Sequence, residues 1–83
     1  MNKLYIEVKV PTIERKFEML VPVNKKVSSV IILIQKAINE LTEGVYIIKD
    51  NAILCDEKLG GVYNHDVLVK DSGLKNGTKV LLI

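Results

Sequence analysis

Lys70-Asp-Ser-Gly-Leu-Lys-Asn-Gly-Thr-Lys-Val-Leu-Leu-Ile83 is the stretch whose reading decides the fold. It reads as a turn, a corner bearing Gly73 and Gly77, and a final strand. Both glycines are expected at positive φ, a backbone conformation that strains residues carrying a Cβ. Val80 to Ile83 then run without a polar interruption. A strand covered on one face alternates, whereas one in the middle of a sheet, parallel to its neighbour, is apolar on both faces. The last strand is therefore expected to be central and parallel to the first.

The first strand fits that role. Leu4-Tyr-Ile-Glu-Val-Lys-Val10 alternates, with Leu4, Ile6, Val8 and Val10 on one face and Tyr5, Glu7 and Lys9 on the other. Pro11-Thr-Ile-Glu14 interrupts it with a turn in which proline fixes φ and withholds a donor. Arg15-Lys-Phe-Glu-Met-Leu-Val21 resumes the alternation with Phe17, Met19 and Val21 inward, and Pro22 ends the hairpin. The period then changes. Val27, Val30, Ile31, Ile34, Ile38 and Leu41 recur at spacings of three and four, the stripe of an amphipathic helix that Gly44 is placed to end. Lys26 stands where a capping Ser, Thr or Asp would be preferred; Ser28 and Asn24 are the capping alternatives. Ile32 and Leu33 fall outside the stripe, flanking the polar face.

Val45-Tyr-Ile-Ile-Lys49 is read as a third strand, Asp50-Asn51 as a turn, and Ala52-Ile-Leu54 as a short fourth strand. Cys55 to Asp66 is polar and turn-rich, with Tyr63 as an anchor, and Val67 to Val69 return to the core. The expected core is Leu4, Ile6, Val8, Phe17, Met19, Val21, Val27, Val30, Ile34, Ile38, Ile47, Leu54, Val69, Leu74, Val80 and Leu82. The architecture is α+β over residues 1–83 as one domain: a mixed four- to five-stranded sheet with one helix packed across it.

Composition narrows the function. The chain has 83 residues, enough for one core and too few for a second. A net charge of +2, with lysines scattered among acids, does not favour nucleic acid. The single cysteine excludes an internal disulfide and fits a reducing compartment. The longest apolar run, Val30 to Ile34, is far short of the ~20 residues a bilayer demands. With no signal peptide read at the N-terminus, a cytoplasmic location is expected.

Little chemistry is available. The one nucleophile–base pairing is Cys55 with His65, oriented by Asp66, and an activated thiolate needs more support than that. Cys55 is instead expected to be an inert, partly buried side chain beside Leu54. One His and one Cys cannot close a four-ligand zinc site, and no acidic loop has calcium spacing. Gly60-Gly61 reads as a turn, because cleavage there would remove the last strand. No enzyme activity, cofactor or metal is expected.

The order hairpin, helix, short strands, loop, strand resembles the β-grasp, or ubiquitin-like, arrangement over nearly the whole chain. Phe17-x-Met19-x-Val21, Val27-x-x-Val30 and Ile34 match its second strand and helix, as does the Ile47-Ile48…Leu54 spacing further on. The 55–66 stretch departs from the pattern, being longer than the corresponding loop of ubiquitin. Val23-Asn-Lys-Lys-Val27, the corner from Ser72 to Gly77 and the absence of a diglycine after Ile83 are similar to the YukD/EsaB family of Gram-positive type VII secretion loci. That resemblance implies a non-catalytic adaptor acting by protein–protein contact rather than conjugation. Its partner would be a protein, a membrane-anchored secretion component being the first candidate, and self-association stays open. The resemblance also implies docking on the sheet face away from the helix, where Ile48, Leu81 and Tyr46 are expected within a ring of Lys49, Lys79 and Lys70. Ile48 and Leu81 should lie side by side on adjacent strands if Ile47, Val80 and Leu82 point inward. Ile32 and Leu33 form the second candidate surface. Two other readings stay open: a sulfur-carrier or modifier-like protein lacking its Gly-Gly, and a basic-face RNA-binding module.

Overall fold

In the computed structural model, which describes residues 2–83, β1 (Lys3–Val10) and β2 (Arg15–Pro22) form the hairpin. Helix α1 (Val27–Leu41), a short β3 (Leu54–Asp56) and the last strand β4 (Thr78–Leu82) follow. The sheet order is β2-β1-β4-β3, so β4 is central and parallel to β1, with Val8 opposite Val80. Of the apolar run that ends the chain, Val80 and Leu82 are buried and Leu81 is half-buried on the opposite face. Gly73 and Gly77, at φ 94° and 84°, make the corner that feeds it.

Alternation carries through the hairpin. Ile6, Val8 and Val10 are fully buried beneath the helix, and Phe17 and Val21 join them from β2. A 3-10 turn over Pro11–Ile13 links the strands, closed by Glu14 in the left-handed region at φ 53°. The helix buries Val27, Val30, Ile31, Ile34, Gln35 and Ile38. Leu41, expected in that stripe, is 62% exposed; it lines the flank facing β2 with Leu33 and Ala37.

Both helix ends are closed by main-chain bonds. Lys26 is the N-cap and its side chain caps nothing. The first amides donate to a distant loop instead, Val27 N–H to the Val67 carbonyl (2.9 Å) and Ser28 N–H to that of His65 (3.1 Å). At the other end Glu43 N–H bonds the Glu40 carbonyl and Gly44 N–H that of Asn39. This paired closure puts Glu43 and Gly44 at φ 52° and 86°.

The expected third strand does not form. Residues 45–49 have no sheet partner, and the strand beside β4 is Leu54–Asp56, with Leu54 opposite Leu82 and Cys55 opposite Leu81. Ile53 and Ile83 extend that ladder by exchanging both main-chain bonds. Ile47, expected in the core, is 77% exposed, while Tyr46 and Ala52 take core positions.

Candidate functional site

Residues 45–49 are held by side chains of the helix rather than by another strand. Gln35 occupies an apolar-stripe position and is 2% exposed. Its Nε2 donates to the Lys49 carbonyl (3.0 Å), and its Oε1 accepts the Lys49 N–H (2.9 Å) and the Tyr46 hydroxyl (2.7 Å). One turn on, Asn39 Nδ2 donates to the Tyr46 carbonyl (2.8 Å). Thr42 Oγ1 accepts the Tyr46 N–H (3.0 Å) and donates to the Ile38 carbonyl (2.7 Å). The main-chain N–H and C=O of Tyr46 and Lys49 are thus satisfied locally. The Tyr46 ring goes into the core, and burial pushes its phenol pKa up.

With Tyr46 anchored, its neighbours are turned out. Val45, Ile47 and Ile48 are 67%, 77% and 44% exposed. Ile48 lines a cleft with Ile32, Ala52, Lys49, Asp50 and His65, and Ile32 is itself half exposed. Single exposed aliphatics are ordinary; here three fall within four residues of one backbone segment.

The structure redistributes the expected docking residues. Ile48 and Leu81 are not side by side. Leu81 is half-buried on the outer sheet face between Lys9 of β1 and Cys55 of β3, and Val62 bridges to Cys55 beyond it. Ile48 instead meets the helix at Ile32. Tyr46 is a buried anchor, not an exposed contact. Lys49 stays with Ile48, Lys79 faces Glu7 on the outer sheet, and Lys70 lies in a separate 3-10 turn, Val69–Asp71. Ile32 and Leu33 diverge, Ile32 toward Ile48 and Leu33 into an apolar groove beside β2. Sequence reasoning missed Gln35, Asn39 and Thr42. Their signal is a row of amide and hydroxyl side chains, spaced four and three along the edge of an apolar stripe.

Cys55 is buried next to Leu81, whereas His65 lies against the start of the helix, with its Nε2 buried and unpartnered. No group of three or more potential metal ligands occurs among the described residues. Within the 55–66 stretch, Asp56 organises the turn. Its Oδ1 accepts the Lys58 and Leu59 amides and its Oδ2 the Tyr63 hydroxyl (3.0 Å). The Leu59 amide, then the Tyr63 hydroxyl, hold the Asp56 carboxyl below its usual range. Burial, then that carboxylate, pushes the Tyr63 phenol up to about 12.

A four-stranded mixed sheet in this order, crossed by one helix after its first hairpin, defines a ubiquitin-like β-grasp domain. No protein-family model and no curated protein matches the chain. Among solved structures it is similar to the EccD5 ubiquitin-like domain from Mycobacterium xenopi, with TM-score 0.79 and 15% identity over 100% of this chain and 94% of that one. It is also similar to the ubiquitin-like domain of the Mycobacterium tuberculosis type VII secretion system protein EccD1 (TM-score 0.74, 14% identity, 100% and 99% covered). A third likeness is to a chain of the MycP5-free ESX-5 inner membrane complex (TM-score 0.72, 13% identity), of which this chain covers 21%. At such identities the likeness is one of fold. No helix among the described residues is long and apolar enough to cross a membrane.

Proposed function

We propose that this chain is a non-catalytic adaptor of a type VII-like secretion system, of the YukD/EsaB kind, working by protein contact in the cytoplasm. The observation that carries the contact role is the exposure of Val45 and Ile47 beside Ile13, and of Ile48 beside Ile32, on a segment fastened by Gln35, Asn39 and Thr42. A pre-organised apolar surface loses little conformational entropy on binding. Ile32 extends it, and Lys49 gives it a charged rim. The system assignment draws on the motif resemblance and on the fold shared with domains of secretion components.

The test is co-purification of the tagged protein with the membrane-embedded secretion components of its own cell, together with export of that system's substrates. Ile47→Asp with Ile48→Asp should fold, since exposed substitutions usually stay within ~0.5 kcal/mol each. The pair should lose the partner, because an apolar contact centre does not tolerate uncompensated charge. Retention of the same partner by the folded double variant would exclude this surface. Unchanged export from cells lacking the protein would exclude the secretion role.

A further inference from the structure

The outer edge of the sheet carries like charges side by side, relieved among the described residues only where Lys79 faces Glu7 and the Tyr5 hydroxyl bonds Glu18. β2 is an edge strand. Val23 N–H bonds the Asn2 carbonyl (2.9 Å), so the hydrogen-bonded pairs of the hairpin recur at Leu4–Val21, Ile6–Met19, Val8–Phe17 and Val10–Arg15. The residues between, Lys16, Glu18 and Leu20, direct their N–H and C=O groups away from the sheet. On the outer face, Lys16 stands opposite Lys9 and Glu18 opposite Glu7, two like-charged cross-strand pairs.

We infer that β2 pairs with β2 of a second copy of this chain, antiparallel about a twofold axis through Phe17. That register sets Lys16 against Glu18 of the second copy on both sides of the axis. Each pair exchanges the free main-chain bonds, and each charge gains an opposite partner. Neighbouring registers with the same hydrogen-bond phase fail. An axis through Lys16 or Glu18 opposes that residue to itself, and one through Met19 places Lys16 opposite Pro22, which has no N–H. An isologous interface needs self-complementarity of this kind, and the two four-stranded sheets would join into one of eight.

The surroundings favour the same occupant. Leu20 is 66% exposed at the edge, and an apolar groove between β2 and the helix continues from it, with Leu33 and Leu41 at 48% and 62% exposure. The charges select the register, which sets Leu20 opposite Glu14 of the second copy. This inference is independent of the secretion reading.

Sedimentation of the full chain from about 10 µM to about 1 mM tests it, a range that brackets weak homodimers. The wild type should self-associate. Lys16→Glu and Glu18→Lys, each opposing like charges across the axis twice, should bind themselves at least about tenfold more weakly. Mixed in equal amounts, the two variants should associate with each other, because the heterodimer matches both pairs again. Circular dichroism confirms that both fold. A monomeric wild type, single variants that associate like wild type, or a mixture no tighter than its components would each overturn the proposal.

Discussion

Replacing Gln35 by Ala tests whether the helix clamp holds residues 45–49. The substitution removes three hydrogen bonds at once. The Tyr46 hydroxyl, on a side chain 5% exposed, would be left without its acceptor, at a cost of about 1–3 kcal/mol. The Lys49 amide and carbonyl are only part-buried and can turn to water, so their loss adds about 1 kcal/mol. The sum, about 2–4 kcal/mol, is a large fraction of the few to about 12 kcal/mol expected for a domain of this size. Thermal unfolding should drop by roughly 10–25 °C. Tyr46→Phe should cost only about 0.5–1.5 kcal/mol, since Gln35 Oε1 keeps the Lys49 amide. The double variant should therefore be less destabilised than the two singles added, the orphaned hydroxyl being gone. Hydrogen exchange at the Lys49 amide should accelerate in Gln35→Ala. A Gln35→Ala protein melting within about 2 °C of wild type, with Lys49 still protected, would refute the clamp.

Ile34, 1% exposed at the centre of the helix stripe, should cost about 2–5 kcal/mol when cut to Ala, read by urea unfolding with an unchanged slope. A midpoint close to wild type would contradict the packing of the stripe. Tyr63 should ionise near pH 12 rather than 10 in the folded protein, followed by ring-proton NMR on base titration. Because its folded pKa is raised, the neutral phenol stabilises the fold fully below pH 10, and that contribution is lost as pH rises from 10 toward 12. Asp56→Asn should bring Tyr63 part of the way down, burial remaining as the larger cause; a Tyr63 unaffected by that change would sever the link.

The hairpin, the helix and the central last strand were legible because each writes its burial into a local period. Leu4 to Val10 alternate, Val27 to Ile38 recur at helical spacing, and Val80 to Leu82 form an apolar run with Val80 and Leu82 in the core and Leu81 half-buried on the outer face. Gly73 and Gly77 were legible for the same reason, since a positive φ is a property of one residue. The helix start was not. Its amides are capped by carbonyls some forty residues away, at His65 and Val67, so no capping side chain was needed in the local sequence.

Sequence alone determined the apolar faces of the hairpin, the helix and the last strand, and with them the order of those elements that resembles a β-grasp. It did not determine what residues 45–49 bond to. Val45-Tyr-Ile-Ile48 suits a buried strand, yet its main chain has better partners in Gln35, Asn39 and Thr42. That choice depends on where the finished helix places three polar side chains. Once made, it turns Ile47 outward, separates Ile48 from Leu81, and passes the place beside β4 to Leu54–Asp56. Periodicity records how deeply a residue is buried, whereas hydrogen-bond partners across the chain are set by tertiary geometry, and the exposed surface follows from those partners.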